Sequence, residues 1–314
     1  MYTDKYNPND LGYLQRNNQL ITESYLYFQK IEPFWKIREY NGNIWWNYIR
    51  IFNPNTIYDH ELGYNANVVF KNNYYFNVNG NYNTDKYDYY EPRVKNRFYL
   101  SPPAYRYNFN LSTDARKKLS FYFHYGHSKQ PSTDQFSDFG DLEANLRLGQ
   151  QFRMNYGLSF NNTMNGVGFV DKNSAEDSVT FAKRNVYTFS NILSSSYVIN
   201  NKASLRLRIR HYWSGAENKI YYLLQGDGSL KTDPLYSENM NQNYNAFTID
   251  LIFRWIFAPG SEMSVAWKSS SYTNEDQVIR NYFDNLSNTW LNQANSLSLK
   301  VLYYIDYNNL KRKK

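Results

Sequence analysis

The carboxy-terminal stretch Ser296-Leu297-Ser298-Leu299-Lys300-Val301-Leu302-Tyr303-Tyr304-Ile305-Asp306-Tyr307 alternates between apolar and polar side chains. Leu297, Leu299 and Val301 fall on one side of an extended chain, and Ser298 and Lys300 fall on the other. A period of two predicts a β-strand with one apolar and one mostly polar face. At about 3.3 Å per residue this strand is long enough to cross a bilayer, which a tilted strand does in roughly 9–11 residues.

The same alternation recurs along the chain and gives about thirteen strands. Long polar segments alternate with very short connections, namely Asn72-Asn73, Gly149-Gln150, Asn200-Asn201 and Pro259-Gly260. Short turns on one rim and long loops on the other are typical of an outer-membrane barrel. The sequence therefore predicts an all-β fold, an antiparallel transmembrane β-barrel with short periplasmic turns and long extracellular loops.

Closure between antiparallel neighbours requires an even number of strands, so we expect about fourteen in the complete barrel. Met1 is followed by polar residues rather than by the apolar core of a signal peptide. Both observations favour an upstream portion that has been lost. We divide the chain into a turn-rich entry segment (1–18), the barrel (19–310) and a basic tail (311–314).

The composition excludes several classes of protein. The mean hydropathy is −0.75, and no run approaches the roughly 18 apolar residues of a membrane helix. The chain has 33 Tyr and no Cys, which favours strands and rules out disulfides and thiolate metal sites. The net charge of +7 is modest, and the aromatic residues are not confined to one basic module, so we expect no nucleic-acid partner.

A soluble β-sandwich also alternates its faces and is the competing interpretation. Its strands usually span about five or six residues, whereas several alternating runs here exceed ten. Tyr, Trp and Phe also collect near the predicted strand ends, as in the aromatic girdles of membrane barrels. We expect the interface aromatics to be Trp213, Trp255, Trp267, Tyr303 and Tyr307.

Arg206, Arg208 and Arg210 form the most informative polar feature, because they alternate with Leu205, Leu207 and Ile209. Each arginine would cost about 2–4 kcal/mol if it faced lipid near the midplane. We therefore assign a lumen-facing basic ladder consisting of Arg206, Arg208, Arg210, Arg254 and Lys268. The lipid-facing residues are then Leu205, Leu207, Ile209, Phe247, Ile249, Leu251, Phe253, Leu299, Val301 and Ile305.

Two interpretations of the basic ladder remain open. Its members pair with acids on neighbouring strands and brace the barrel, or they make the lumen electropositive and favour anionic solutes.

Other polar residues give weaker signals. His124 and His127 lie three apart and therefore on opposite faces of a strand, which argues against a shared metal. Asp141 and Glu143 share a face with Arg147, which favours a salt-bridge network over acid–base catalysis. Gly226-Asp227-Gly228 is typical of a turn. We expect no metal, no cofactor and no catalytic residues.

Four ordered motifs resemble a bacterial outer-membrane family of unknown function, in its carboxy-terminal barrel. They are Asn9-Asp10-Leu11-Gly12-Tyr13-Leu14; Arg254-Trp255 with Phe257-Ala258-Pro259-Gly260-Ser261-Glu262; Phe283-Asp284-Asn285; and Ser298-Leu299-Lys300 with Tyr303-Tyr304-Ile305-Asp306-Tyr307. In that family a carbohydrate-binding module resembling family nine precedes the barrel. No such module is visible in this sequence, so the resemblance implies sugar binding for a relative that carries it.

The resemblance and the pattern together imply a location in the outer membrane of a Gram-negative bacterium. Outer-membrane lipid is one expected partner, and carbohydrate or another envelope protein is a second. The expected function is a non-catalytic membrane anchor or passage for a carbohydrate-binding cell-envelope protein. The alternatives are a soluble, aromatic-rich carbohydrate-binding β-protein and an outer-membrane enzyme with a site in its loops.

Overall fold

The computed structural model describes Lys5 and residues 17–175, 178–290 and 293–305, and this part of the chain is almost entirely β-structure. Most of the entry segment and the whole basic tail lie outside the described residues. The elements are β1 (Gln19–Lys30), β2 (Ile37–Ile51), β3 (Thr56–Phe70), β4 (Tyr75–Asn83), β5 (Lys86–Asp88), β6 (Tyr99–Ser101), β7 (Ala104–Ser112), β8 (Leu119–Lys129), β9 (Phe136–Leu148), β10 (Phe152–Lys172), β11 (Val179–Val198), β12 (Ala203–Leu224), β13 (Leu230–Thr232), β14 (Gln242–Ala258), β15 (Ser261–Glu275), α1 (Tyr282–Trp290) and β16 (Ala294–Leu302).

One antiparallel sheet contains nearly all of the strands. Its order is β1-β2-β3-β4-β7-β8-β9-β10-β11-β12-β14-β15-β16, with β13 added to β12, while β5 and β6 form a separate pair. The prediction of an all-β antiparallel fold with about thirteen strands is confirmed. Each strand of the main path pairs with its neighbours along the chain, and β1 and β16 form the two edges of the sheet.

The connections lie at the two ends of the strands, which we call the turn edge and the loop edge. The turn edge carries connections 31–36, 71–74, 113–118, 149–151, 199–202 and 259–260. The loop edge carries connections 52–55, 84–103, 130–135, 173–178, 225–241 and 276–293. Asn73, Gly149 and Gly260 have φ values of 62°, 66° and 72°. These residue types adopt the left-handed conformation at little cost and so permit the tight reversals.

Several strands extend further towards the loop edge than the alternation predicts. The clear pattern of β10 ends near Phe160 and that of β12 near Trp213, but the strands continue to Lys172 and Leu224. The extensions are rich in Asn, Ser and Gly, which individually favour loops. Their backbones nevertheless pair with β11 along almost its whole length, so the ladder hydrogen bonds outweigh the local preference.

The segment 270–295 contains the end of β15, the helix α1 and the start of β16. One expectation about the carboxy-terminal strand is corrected. The last strand ends at Leu302 instead of continuing through Tyr307. Asp306 and Tyr307 lie outside the described residues.

Gly42 in the middle of β2 does not form a bulge. It pairs in regular register with Phe28 and Ala66, and the shifts in β2 fall elsewhere, between Ile37 and Glu39 and between Ile49 and Arg50. A Cβ at Gly42 would lie 2.5 Å from Cζ of Phe28 and 2.7 Å from the carbonyl oxygen of Asn65. The glycine is therefore required for close packing across the strands.

The sheet is strongly curved, as two adjacent residues of connection 84–103 demonstrate. The Tyr90 hydroxyl donates to the carbonyl of Asn17, just before β1, at 2.9 Å, and Glu91 Oε1 accepts from the Phe169 amide of β10 at 2.9 Å. On a flat sheet β1 and β10 would lie seven strand spacings apart, about 33 Å. Two side chains on neighbouring Cα atoms, 3.8 Å apart, do not reach across that distance, so the sheet bends and brings its loop edge together.

Connection 84–103 also forms a small hydrophobic core with the ends of the long strands. Tyr99 packs with Val179, Phe181 and Leu224, and all four side chains are buried. Among the described residues, no helix is long and apolar enough to cross a membrane.

Candidate functional site

The strand register gives the sheet two continuous faces of opposite character. Phe121 of β8 pairs with Ala144 of β9, and Ala144 pairs with Tyr156 of β10. Tyr156 then pairs with Leu193 of β11, and Leu193 pairs with Ile209 of β12. We call this side of the sheet the apolar face. Residues one position away along each strand lie on the opposite side, which we call the polar face.

Much of the apolar face is exposed. Phe121 retains 44% of its accessible surface and Val301 retains 54%. Other large exposed side chains on this face are Leu62, Tyr64, Tyr82, Phe109, Leu111, Leu119, Phe123, Leu142, Leu148, Leu297 and Leu299. They form a band across the sheet rather than isolated positions.

The structure divides the residues that the sequence assigns to lipid into three groups. Leu299, Val301 and Ile305 are exposed, although Ile305 lies beyond the end of β16. Leu205, Leu207, Ile209, Leu251 and Phe253 are half-buried. Phe247 and Ile249 are 3% and 7% exposed, so the assignment of these two residues to lipid contact is corrected. The ring of Trp290 in α1 packs edge-on against Phe247 at 5.0 Å.

The expected interface aromatics also differ in their surroundings. Trp255, Trp267 and Tyr303 are exposed on the apolar side near β14–β16. Trp213 is buried at 1% exposure, which corrects its assignment to an interface with headgroups. Tyr307 lies outside the described residues.

Trp213 belongs to a polar cluster between the sheet and α1. Its ring is stacked against Phe189 at 5.6 Å, and its Nε1 donates to Asn243 Oδ1 at 2.8 Å. Asn285 of α1 accepts from Asn243 at 3.0 Å and from Asn245 at 3.1 Å. Nearby, His211 Nδ1 lies 2.9 Å from the Tyr282 hydroxyl. The local sequence pattern does not predict this cluster, because its parts are distant along the chain.

The polar face of β2, β3, β4 and β7 is a network of asparagine amides. Asn77 donates to Asn65 at 2.6 Å and to Asn67 at 2.8 Å, and it accepts from Asn110 at 2.8 Å. Because these amides satisfy one another, the hydrogen-bonding capacity of the network is largely used internally.

Further along, the polar face becomes basic and forms a groove of about 560 Å³. Its floor is β11, which contributes Ser194 and Ser196. In the register, Ser196 lies between Arg153 of β10 and Arg206 of β12. Small side chains between two arginine-bearing strands leave the space open. We call this space the basic groove.

The basic ladder is divided by its pairing. Arg210 lies 3.3 Å from Asp250 and donates to Thr248 at 3.0 Å, and Arg254 forms an ion pair with Glu262. In the described part of the chain, Arg206, Arg208 and Lys268 have no ion-pair partner, and they line the basic groove. The bracing interpretation therefore fits two members of the ladder and the electropositive one fits three.

The groove also has members that the sequence analysis did not select. Arg153, Ser194, Ser196 and Asn155 also line it. The run Ser194-Ser195-Ser196 was a visible signal, because alternate small hydroxyl side chains on a long strand create a depression between larger neighbours. Recognising it required the pairing partners of β11.

His124 and His127 make separate contacts. His124 Nδ1 lies 2.9 Å from Asp141 on the polar face, and His127 Nδ1 lies 2.8 Å from Asp138 on the apolar face. Within the described residues, no group of three or more His, Cys, Asp or Glu side chains is placed to hold a metal ion.

The fold and groove define an all-β protein built on one curved antiparallel sheet with an apolar and a polar face. The chain belongs to the family described as a domain of unknown function, DUF5916, whose model matches residues 1–314. No curated protein matches the chain.

Proposed function

We propose that this protein is an outer-membrane β-barrel that acts as a non-catalytic membrane anchor or passage for a carbohydrate-binding cell-envelope protein. One observation carries the proposal: one face of the sheet exposes large apolar side chains on β3, β4, β7, β8, β9 and β16, and the other face presents Asn, Arg and Ser. That is the distribution expected when one face contacts lipid and the other lines a polar interior.

The energetics favour lipid contact over exposure to water. Transferring a Leu or Phe side chain from water to an apolar environment stabilises it by about 1.5–3 kcal/mol. Soluble monomers rarely expose apolar patches larger than a few hundred Å². The exposed apolar residues include Leu62 of β3, Phe121 of β8 and Val301 of β16, all on the apolar face. This distribution favours a membrane environment.

The strand lengths and curvature also support the proposal. About ten residues of each strand, counted from the turn edge, would cross the hydrocarbon layer. For β3 this segment is 60–70, and for β12 it is 203–213. The bend brings Asn17 and Phe169 to one connection, and closure of such a bent sheet would remove unpaired edges from lipid.

Cysteine labelling tests the proposal, since the chain has no native Cys. Phe121→Cys and Tyr122→Cys are adjacent and face opposite sides, as are Val301→Cys and Lys300→Cys. In lipid vesicles the Phe121 and Val301 variants should resist a water-soluble maleimide and react after unfolding in urea. Tyr122→Cys and Lys300→Cys should react without unfolding if the interior is hydrated.

Two results would contradict the membrane assignment. One is rapid labelling of Phe121→Cys in the presence of vesicles. The other is a protein that remains monomeric in buffer without detergent, which would favour a soluble carbohydrate-binding β-protein. In that case the exposed aromatic rings would be available for stacking on sugars.

A further inference from the structure

We propose that the basic groove binds the anionic group of a sugar-sized ligand, with the anionic oxygens held between Arg153 and Arg206 above Ser196. The inference goes beyond the membrane assignment and does not depend on it. The groove lies on the polar face whether that face lines a barrel or contacts bulk water.

The spacing of the basic side chains suits one anionic group. Arg153 and Arg206 are separated by a single strand, β11, and therefore by two strand spacings, about 9.6 Å. Long guanidinium side chains from both sides can converge over the serine floor. Each can present two N–H groups to a phosphate or carboxylate, and such charge-assisted hydrogen bonds are the stronger kind.

The charge balance also favours an anion. The groove lining contains four basic residues, Arg153, Arg206, Arg208 and Lys268, and one acid, Asp250. Asp250 is on β14, where it pairs with Arg208 of β12 and is separated from β11 by that strand. Its carboxylate forms an ion pair with Arg210. The positive potential is therefore greatest over β11, which contributes only serines to the lining.

The size and the remaining lining indicate the rest of the ligand. About 560 Å³ exceeds the space needed by a single inorganic anion and falls within the range of small-molecule sites. Ser194, Ser196 and Asn155 supply hydroxyl and amide groups for a polyhydroxylated molecule. A second depression of about 420 Å³ shares Arg153, Ser196 and Arg206 and continues to Gln150 at the turn edge, which gives the ligand a path to the groove.

The test measures binding to the purified full chain in detergent by isothermal titration calorimetry. The probe is glucose 6-phosphate, with glucose and inorganic phosphate as comparisons. Glucose 6-phosphate should bind, and glucose should not. The affinity should fall as NaCl rises from 50 to 300 mM, because screening weakens contacts to exposed charges.

Arg206→Gln should weaken glucose 6-phosphate binding at least 10-fold, because it removes a charged hydrogen-bond donor. The matched control is Arg254→Gln, also an exposed arginine on the polar face but paired with Glu262 outside the groove. It should change the affinity less than 2-fold. Circular dichroism melting of both variants checks that the fold is retained, and Arg153→Gln provides a second variant should Arg206→Gln unfold.

A further arm identifies the source of the anionic group. If detergent-dispersed phosphatidylglycerol competes with the probe in an Arg206-dependent manner, the groove receives a lipid headgroup. If it does not compete, the ligand is a soluble solute. Binding that is absent for glucose 6-phosphate, or equal in Arg206→Gln and the parent, would overturn the proposal. Neither result would affect the labelling test of the membrane assignment.

Discussion

Replacement of Asn285 by Ala should release α1 from the sheet. Asn285 is fully buried and makes four side-chain hydrogen bonds: it donates to the carbonyls of Ile279 and Asn281 and accepts from Asn243 and Asn245. Each contributes about 1 kcal/mol, and the two amides left without an acceptor add a desolvation penalty. We therefore expect a loss of about 3–5 kcal/mol in the docking of α1. A helix of nine residues is not stable in water by itself, so the segment should undock.

Hydrogen–deuterium exchange followed by mass spectrometry measures this effect. A loss of about 3 kcal/mol corresponds to roughly 100-fold faster exchange of the amides in α1. The matched control is Asn288→Ala, which removes the same type of side chain from an exposed position of the same helix. Its exchange should remain within about 3-fold of the parent. Equal exchange in the two variants would show that the contacts of Asn285 do not hold α1 on the sheet.

Two further predictions concern the loop edge and the close packing of strands. Burial raises the pKa of Asp59 to about 6, from an ordinary value near 4. Because the folded state favours the protonated carboxyl, the free energy of unfolding should increase by about 1–2 kcal/mol as the pH falls from 7 to 4.5. Asp59→Asn should lack this increase in urea unfolding, and an identical pH dependence would refute the assignment. Gly140→Ala should lower stability by about 1–3 kcal/mol, because its Cβ would lie 2.5 Å from the backbone oxygen of His124. Gly157→Ala, with nothing within 4 Å of the new Cβ, is the control and should be neutral or slightly stabilising in the same unfolding experiment.

The sequence by itself predicted the class of fold, the approximate number of strands and the two faces. These properties depend on local rules. A period of two places alternate side chains on opposite sides of any strand, and Asn or Gly residues such as Asn73 and Gly149 permit the tight reversals between strands. The first strand, β1, begins at Gln19, where the sequence places the start of the barrel segment.

Only the tertiary structure decided which polar residues meet. Arg210 is paired with Asp250 because β12 lies beside β14 in a particular register, and that register reflects the summed pairing of two long strands. The same pairing placed Ser196 between Arg153 and Arg206 and so created the basic groove. The local pattern of β12 contains three equivalent arginines and cannot distinguish the paired one from the two that remain unpaired.

The tertiary structure also decided the extent of the long strands and the position of α1. The Asn and Gly residues between Asn161 and Lys172 favour loops individually, but cooperative pairing with β11 holds the segment in a strand. Phe247 and Ile249 follow the same alternation as Leu299 and Val301. The first pair is buried, with Trp290 of α1 packed on Phe247, whereas the second pair is exposed. Local periodicity fixes the face on which a side chain lies, whereas its burial depends on segments that are distant in the chain.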